Sequence, residues 1–379
     1  MFEAIVPKKS LQPLLERAER TADRKSAVPA LANVLLTATD GTLTVAATDI
    51  YLGITGSTAC DVMQLGSIAV PAKDLLERVK AMPEGPIQIT ATAGAQVTLK
   101  AVGQARRYTL AGLPGHDFPT LPKPTDDRVI EAPLDVLSRL LTRTHFSIST
   151  DETRAHVNSL LVEWSGDLVR VVSTDGHRLT KAEAKIEGAG TIASMLIPLK
   201  AVTQLRALLD GAKGEKTVTI QHGRRRRSVD GSGTAFFTVA GMRFSVRLID
   251  AQFPPWKQVV PEKTDTAVSI PRTRFVDALK AVKVASSDRT GGVKLALVPG
   301  ALRITSESPE SGAGFDEIAV DYNDIDRAIG VNAQYAIDVL TALDCEDVVL
   351  GVSGELDPMT ITPAGGADFI GVIMPMRLG

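Results

Sequence analysis

Hydrophobic and polar positions alternate along much of the chain, and the alternation returns three times. VLLTATDGTLTVAATD from Val34, LLVEWSGDLVRVVSTD from Leu160 and VKLALVPGALRITSES from Val293 each read as a strand, a tight turn and a second strand of period two. Asp49 and Asp175 close the first two copies, and Ser308 stands at the matching place in the third. The period becomes helical in VPAKDLLERVKAM, IPLKAVTQLRALLDG and VNAQYAIDVLTAL. Pro71 and Pro198 are expected in the first turn of their helices, where a missing N–H costs nothing. Their spacing matches that of Asp49 and Asp175 to within one residue, so two landmarks repeat in step. A second helical stretch opens each copy: PKKSLQPLLERAERT, APLDVLSRLLTRTHFS and PRTRFVDALKAVKVASS.

Each copy therefore predicts two helices and about eight short strands, an α+β fold with helices on antiparallel sheets. DFPTLP (117–122) and QFPPWKQVVP (252–261) read as stiff, extended links. They set expected domains at 1–125, 126–261 and 262–379. Three domains in series leave a bare sheet edge at each end. If one end fits the opposite end of a second copy, two chains close head to tail into a ring of two-fold symmetry. RRYTLAGL, with Tyr108 and Leu110, is expected at one edge, and the region of Val284 and Ala285 at the other.

Composition adds limits. The 379 residues suit two or three domains. Aromatic residues make up only 4%, so the cores must be aliphatic. The N-terminal stretch lacks a signal-peptide pattern, and no apolar run approaches the roughly 20 residues that span a bilayer. Two distant cysteines, Cys60 and Cys345, speak against a disulfide framework and for a cytoplasmic protein. The net charge of −2 excludes a wholly basic surface but not a basic face. Basic residues outnumber acids on five of the helical stretches, which predicts helices lining a cavity that attracts phosphate. The run Arg224 to Arg227 is expected at a hairpin, as a phosphate contact or as protection of a sheet edge.

Signals for catalysis are poor. The chain has no phosphate-binding glycine loop, no nucleophile elbow, no H-E-x-x-H and no C-x-x-C. Its five histidines lack metal-ligand spacing, and neither a metal nor a cofactor is expected. Ser173, Asp175 and His177 are triad residue types, but side chains two apart on a strand point side by side rather than at one another. TDGHRL therefore reads as a turn: Thr174 and Asp175 cap it, Gly176 supplies a positive φ, and His177 and Arg178 stand at the rim with Leu179 on an apolar surface. Met374 and Met376 in GVIMPMRLG bring adaptable side chains suited to peptide contact.

STDGHRLT, FPPWKQVVP, the closing MPMRL, STDETRAHVNSLLVE (149–163) and VPALANVLL (28–36) together closely resemble the bacterial DNA polymerase III beta subunit, the sliding clamp. The resemblance runs the length of the chain. It implies three DNA-clamp domains per chain and a head-to-tail homodimeric ring around duplex DNA of any sequence. Such a ring has no active site and no membrane association. Its implied partners are the polymerase III alpha subunit, an ATP-driven clamp loader, and other replication and repair proteins carrying a short peptide motif. The resemblance implies a peptide pocket between the second and third domains. Its residues would be Val157, Thr174, Asp175, Gly176, His177, Arg178, Leu179, Pro254, Gln258, Val259, Val372, Ile373, Met374, Pro375, Met376, Arg377 and Leu378. DNA contacts would be Arg24, Lys25 and Lys200, with Arg206 added on charge. Gln258 stands where the family commonly has a base, Ala155 and His156 replace an aromatic pair, and Gly379 extends the usual ending. The alternatives are a metal-dependent nuclease or nucleotidyl transferase, for which no acid cluster stands out, and a clamp copy specialised for inhibitor resistance or repair.

Overall fold

In the computed structural model of the chain, the described residues are 2–124, 129–187, 194–212, 214–223, 233–287, 291–309 and 311–377. They form two compact units. The first comprises Met1–Leu134 and Thr203–Leu248, the second Asp135–Val202 and Ile249–Gly379. Among the described residues six α-helices recur in pairs: α1 (Lys8–Glu19), α2 (Ala72–Ala81), α3 (Leu134–Thr144), α4 (Leu199–Asp210), α5 (Arg272–Lys283) and α6 (Ala333–Thr341).

A proline closes the strand before each of the first five helices, at Pro7, Pro71, Pro133, Pro198 and Pro271. At Pro7 and Pro71 φ is −62° and −51° with ψ of 131° and 119°, so these prolines are extended N-caps. This corrects the expectation that Pro71 and Pro198 lie in the first helical turn; the helices start one residue later, at Ala72 and Leu199. The physical reason is that a proline with extended ψ ends a sheet ladder and fixes φ for the turn. The first helical N–H then finds a carbonyl elsewhere: Lys8 on Gly85 (3.0 Å), Leu134 on Lys216 (2.9 Å), Leu199 on Asn158 (3.1 Å), Arg272 on Glu346 (3.0 Å) and Ala333 on Gly291 (2.9 Å). The first helix of each copy thus ties to the loop after the second helix. Lys8 and Arg272 reinforce this tie. Lys8 Nζ donates to the carbonyls of Lys80 and Met82 at the end of α2, and Arg272 Nε to that of Cys345 beyond α6.

In the first unit a five-stranded antiparallel sheet runs in the order Asp61–Gln64, Phe2–Pro7, Pro86–Ala91, Gln96–Ala101, Arg107–Ala111. A nine-stranded sheet includes the predicted hairpin Asn33–Thr39 and Thr42–Thr48, then Leu52–Ala59, which pairs with Met242–Arg247. The second unit repeats the design. Its eight-stranded sheet carries Ser159–Ser165, Leu168–Thr174 and Arg178–Lys185, the last paired with Phe369–Ile373. Its four-stranded sheet runs Gly312–Ala319, Ala301–Ser308, Gly292–Val298, Arg327–Asn332. The cores are mainly aliphatic, with Leu11, Leu15 and Ala18 of α1 and Leu75, Leu76 and Val79 of α2 buried, but the few phenylalanines are spent there too: Phe2, Phe236, Phe237, Phe244, Phe275 and Phe369 are fully buried.

Repetition extends to single hydrogen bonds. Thr48 Oγ1 donates to the Leu52 carbonyl at 2.7 Å, and Thr174 Oγ1 to that of Arg178 at 2.7 Å. Asp49 Oδ1 accepts the N–H groups of Tyr51 and Leu52, as Asp175 Oδ1 accepts those of His177 and Arg178. Ile50 occupies the place of Gly176, and both have positive φ, 79° and 96°. A β-branched residue is strained there. Ile50 is 58% exposed, so little burial is lost by removing it. Ile50→Gly should therefore stabilise the chain by about 1 kcal/mol, net of glycine's entropy. Urea unfolding checks this; an unchanged or lower midpoint refutes it.

Candidate functional site

The turn from Thr174 to Leu179 joins the strands Leu168–Thr174 and Arg178–Lys185 of the second unit's eight-stranded sheet. Asp175 holds it from inside, with Oδ1 on two backbone N–H groups at 2.9 and 3.0 Å and Oδ2 on Arg178 Nε at 2.9 Å. Arg178 has its side chain only 11% exposed and does not stand free at the rim. Its NH1 donates to Asp338 Oδ2 at 2.6 Å, its NH2 to the Phe146 carbonyl at 2.5 Å, and its Cζ lies 4.4 Å from the Tyr335 ring centre. The rim expectation for Arg178 is thereby corrected. Two carboxylates and a ring compete with water for the guanidinium and win. His177 is exposed, as expected. Burial, and next the Asp175 charge, raises the pKa of the Tyr335 phenol, so the ring stays neutral.

Strand pairing brings the closing segment against this turn. Leu179 lies opposite Val372 and Arg178 opposite Ile373, and Met374 N donates to the His177 carbonyl at 2.9 Å. Val372 and Ile373 are buried, Met374 is 37% exposed, Pro375 and Met376 are half-buried, and Arg377 is exposed. Leu378 lies outside the described residues. Leu179 and Val372 share an apolar floor with Leu161, Val172, Leu196 and Trp256, against which Phe253 and Val260 pack. Beside this floor runs a cleft of about 790 Å³ lined by Leu161, Leu196 and residues 250–258, Pro254 and Gln258 among them. Val259 is 40% exposed, and Val157 is buried behind the turn with its N–H on the Arg154 carbonyl. Arg154 NH1 in turn reaches the Asp175 carbonyl at 3.2 Å.

Ser173 is fully buried, with its hydroxyl on the Thr144 carbonyl and on Thr180 Oγ1, so it cannot serve as a nucleophile. Among the described residues no group of three or more His, Cys, Asp or Glu could hold a metal ion. Nor is any described helix long and apolar enough to cross a membrane. Sequence reasoning missed Phe146, Tyr335 and Asp338. Tyr335 and Asp338 stand three apart on α6, the spacing that puts two side chains on one face, which was a readable signal.

The expected DNA residues differ in setting. Arg24 is half-exposed with its Nε 3.9 Å from Glu19, and Lys25 and Lys200 are exposed. Arg206 is half-buried, and that burial, opposed by Asp210, lowers its pKa. Part of the helical excess of bases serves the fold. Lys8 caps α2, buried Arg143 bridges Asp344 and Asp368 at 2.8 Å each, and Arg274 grips Asp316 with two bonds. The run Arg224 to Arg227 lies outside the described residues.

The expected edges are also placed. Arg107–Ala111 is the terminal strand of its sheet, with Tyr108 half-buried and Leu110 turned into the core, so the edge offers backbone and Tyr108. Val284, at the end of α5, is 82% exposed and Ala285 half-buried. Beside them runs the terminal strand Gly312–Ala319, carrying Phe315 at 64% exposure.

Family models for the DNA polymerase III beta subunit match the chain along nearly all its length: the N-terminal domain at residues 2–122, the central domain at 131–255 and the C-terminal domain at 257–377. The beta sliding clamp of Pseudomonas putida is 30% identical over 377 residues, covering 98% of this chain and 99% of that protein. The crystal structure of the DNA polymerase III subunit beta from Pseudomonas aeruginosa superposes with a TM-score of 0.92 at 28% identity, covering 99% of this chain and 100% of that one. A sliding clamp from Bartonella birtlesii, solved bound to griselimycin, gives 0.91 at 29% identity and full coverage of both. Three matched segments, the paired helices and sheets that repeat with them, and relatives aligned end to end agree: this chain belongs to the family of DNA polymerase III beta subunits, the beta sliding clamps.

Proposed function

We propose that the chain works as a sliding clamp: two copies close head to tail around duplex DNA and tether the replicative polymerase, without catalysis of their own. The division at 125 and 261 is part of this reading. The observation that carries it is a pair of open sheet edges, one in each unit. Arg107–Ala111 in the first unit and Gly312–Ala319 in the second each pair on one side only among the described residues, and the second is flanked by exposed Val284 and Phe315. Such edges pair with another chain unless covered. Joining the first edge of one copy to the second edge of another, twice over, satisfies all four.

The turn at Asp175–Arg178, the floor under Leu179 and Val372, and the Met374–Arg377 segment support a groove for partner peptides with apolar anchors. The polymerase III alpha subunit and the clamp loader are the partners this reading assigns to it. Binding draws on burial in a largely pre-formed pocket, with Gln258 and His177 fixing register. Sedimentation equilibrium tests the ring: a dimer is expected, and a monomer at micromolar concentration would refute it. A chain loaded on nicked circular DNA should stay bound and be lost when the circle is cut.

Contacts to DNA in this reading go to phosphate, because a sliding ring cannot read sequence. The triple variant Arg24→Ala, Lys25→Ala, Lys200→Ala should weaken binding and flatten the slope of log affinity against log salt by up to about 5, near 0.9 for each of the six charges removed from the two-copy ring. An unchanged slope would remove these residues from the DNA face.

A further inference from the structure

A chain of hydrogen bonds runs within the second unit from α5 to the turn. Lys283 Nζ donates to Gln334 Oε1 at 2.6 Å. Gln334 Nε2 donates to Asp338 Oδ1 at 2.6 Å. Arg178 NH1 donates to Asp338 Oδ2 at 2.6 Å, and Arg178 Nε to Asp175 Oδ2 at 2.9 Å. Lysine and arginine can only donate and ionised aspartate only accepts, so the glutamine amide has one orientation that satisfies both neighbours. Every link uses a different atom. The members are half-buried, where such bonds are stronger than in open water. α6 offers a firm base, because Asn332 Oδ1 accepts the N–H groups of Gln334 and Tyr335 at its start.

We infer that Lys283, Gln334 and Asp338 are positioning residues for the peptide wall: they hold Arg178 and, through it, the Asp175–Arg178 turn. The inference rests on the groove proposed above. None of the three needs to touch the peptide. Without the Asp338 carboxylate, Arg178 keeps Asp175 and the Phe146 carbonyl, so the turn stays folded. Its guanidinium is then no longer pinned over Tyr335. The loss moves more than one residue, because the His177 carbonyl carries Met374 N and any shift of the turn shifts the opposite wall. The effect therefore falls on affinity more than on stability. Lys283 is followed directly by Val284 and Ala285, so the far end of the relay sits at the proposed dimer edge.

The test uses the full-length chain and a fluorescein-labelled peptide from the cognate polymerase alpha subunit, read by anisotropy. Asp338→Asn should weaken binding about tenfold and Lys283→Met about threefold, with Asp338→Glu restoring most of the loss. Lys283→Met should add nothing in a Gln334→Ala background, since the relay is already cut; a residue that only supported the fold would give multiplying effects. Circular dichroism melts accompany each variant, and half-exposed Lys283→Met keeps the test decisive if Asp338→Asn melts early. Affinities within twofold of wild type for Asp338→Asn and Gln334→Ala overturn the inference alone. A wild-type chain that ignores the peptide overturns the groove, and the inference with it.

Discussion

Ending the chain after Ile373 is expected to abolish peptide binding, by more than about a hundredfold, while both sheets of the second unit remain folded. The strand Phe369–Ile373 keeps its full pairing with Arg178–Lys185 and Met359–Pro363 in the shortened chain. What goes is Met374, whose N–H holds the His177 carbonyl, and Met376, whose N–H holds that of Gly330 at 2.8 Å. In the proposed groove these residues would form one side, with Met374 37% exposed and Met376 half-buried. Unbranched methionine fits many apolar anchors, so no other described side chain at this wall replaces it. Anisotropy with a labelled peptide measures the loss, and a melt within a few degrees of wild type shows that the fold survives. Affinity that persists in the shortened chain would place the groove elsewhere.

Arg178→Ala should cost about 3 kcal/mol of stability in the second unit. The side chain is 11% exposed and its two carboxylate partners are 16% and 25% exposed, so water would replace it poorly. Removing it leaves Asp175 and Asp338 close together with no counter-charge, and frees the Phe146 carbonyl. Arg178→Lys should recover little, because a single ammonium cannot reach Asp175, Asp338 and the Phe146 carbonyl at once. Guanidinium unfolding followed by tryptophan fluorescence suits the measurement, since Trp256 lies in the floor beneath Leu179. A change below about 1 kcal/mol would show the arginine to be exchangeable.

The parts legible in the sequence were the local ones. TDGHRL declares its turn because the aspartate, the glycine and their bonds lie within five residues. The three hairpins and their helices are readable for the same reason, each having its own period. The capping role of Pro71 was off by one residue because proline tolerates both places and only ψ distinguishes them. Long-range pairings left no such trace. Nothing near Leu52–Ala59 announces that it pairs with Met242–Arg247, and nothing near Arg143 announces Asp344 and Asp368. A count of bases on helices likewise cannot separate Lys8, spent on the end of α2, from Lys25, which is exposed. The turn was found because its bonds are local, and its partner Asp338 was missed because it lies 160 residues away.

The two seams, Leu52–Ala59 on Met242–Arg247 and Arg178–Lys185 on Phe369–Ile373, bear on how the protein is made. As the polypeptide leaves the ribosome, the first strand of each pair, already joined to its preceding hairpin partner, waits with its other edge bare while nearly two hundred further residues are synthesised. At about 5–20 residues per second that wait lasts on the order of ten to forty seconds. The nascent chain is therefore at its stickiest in mid-synthesis, and a chaperone that shields strand edges should raise its yield.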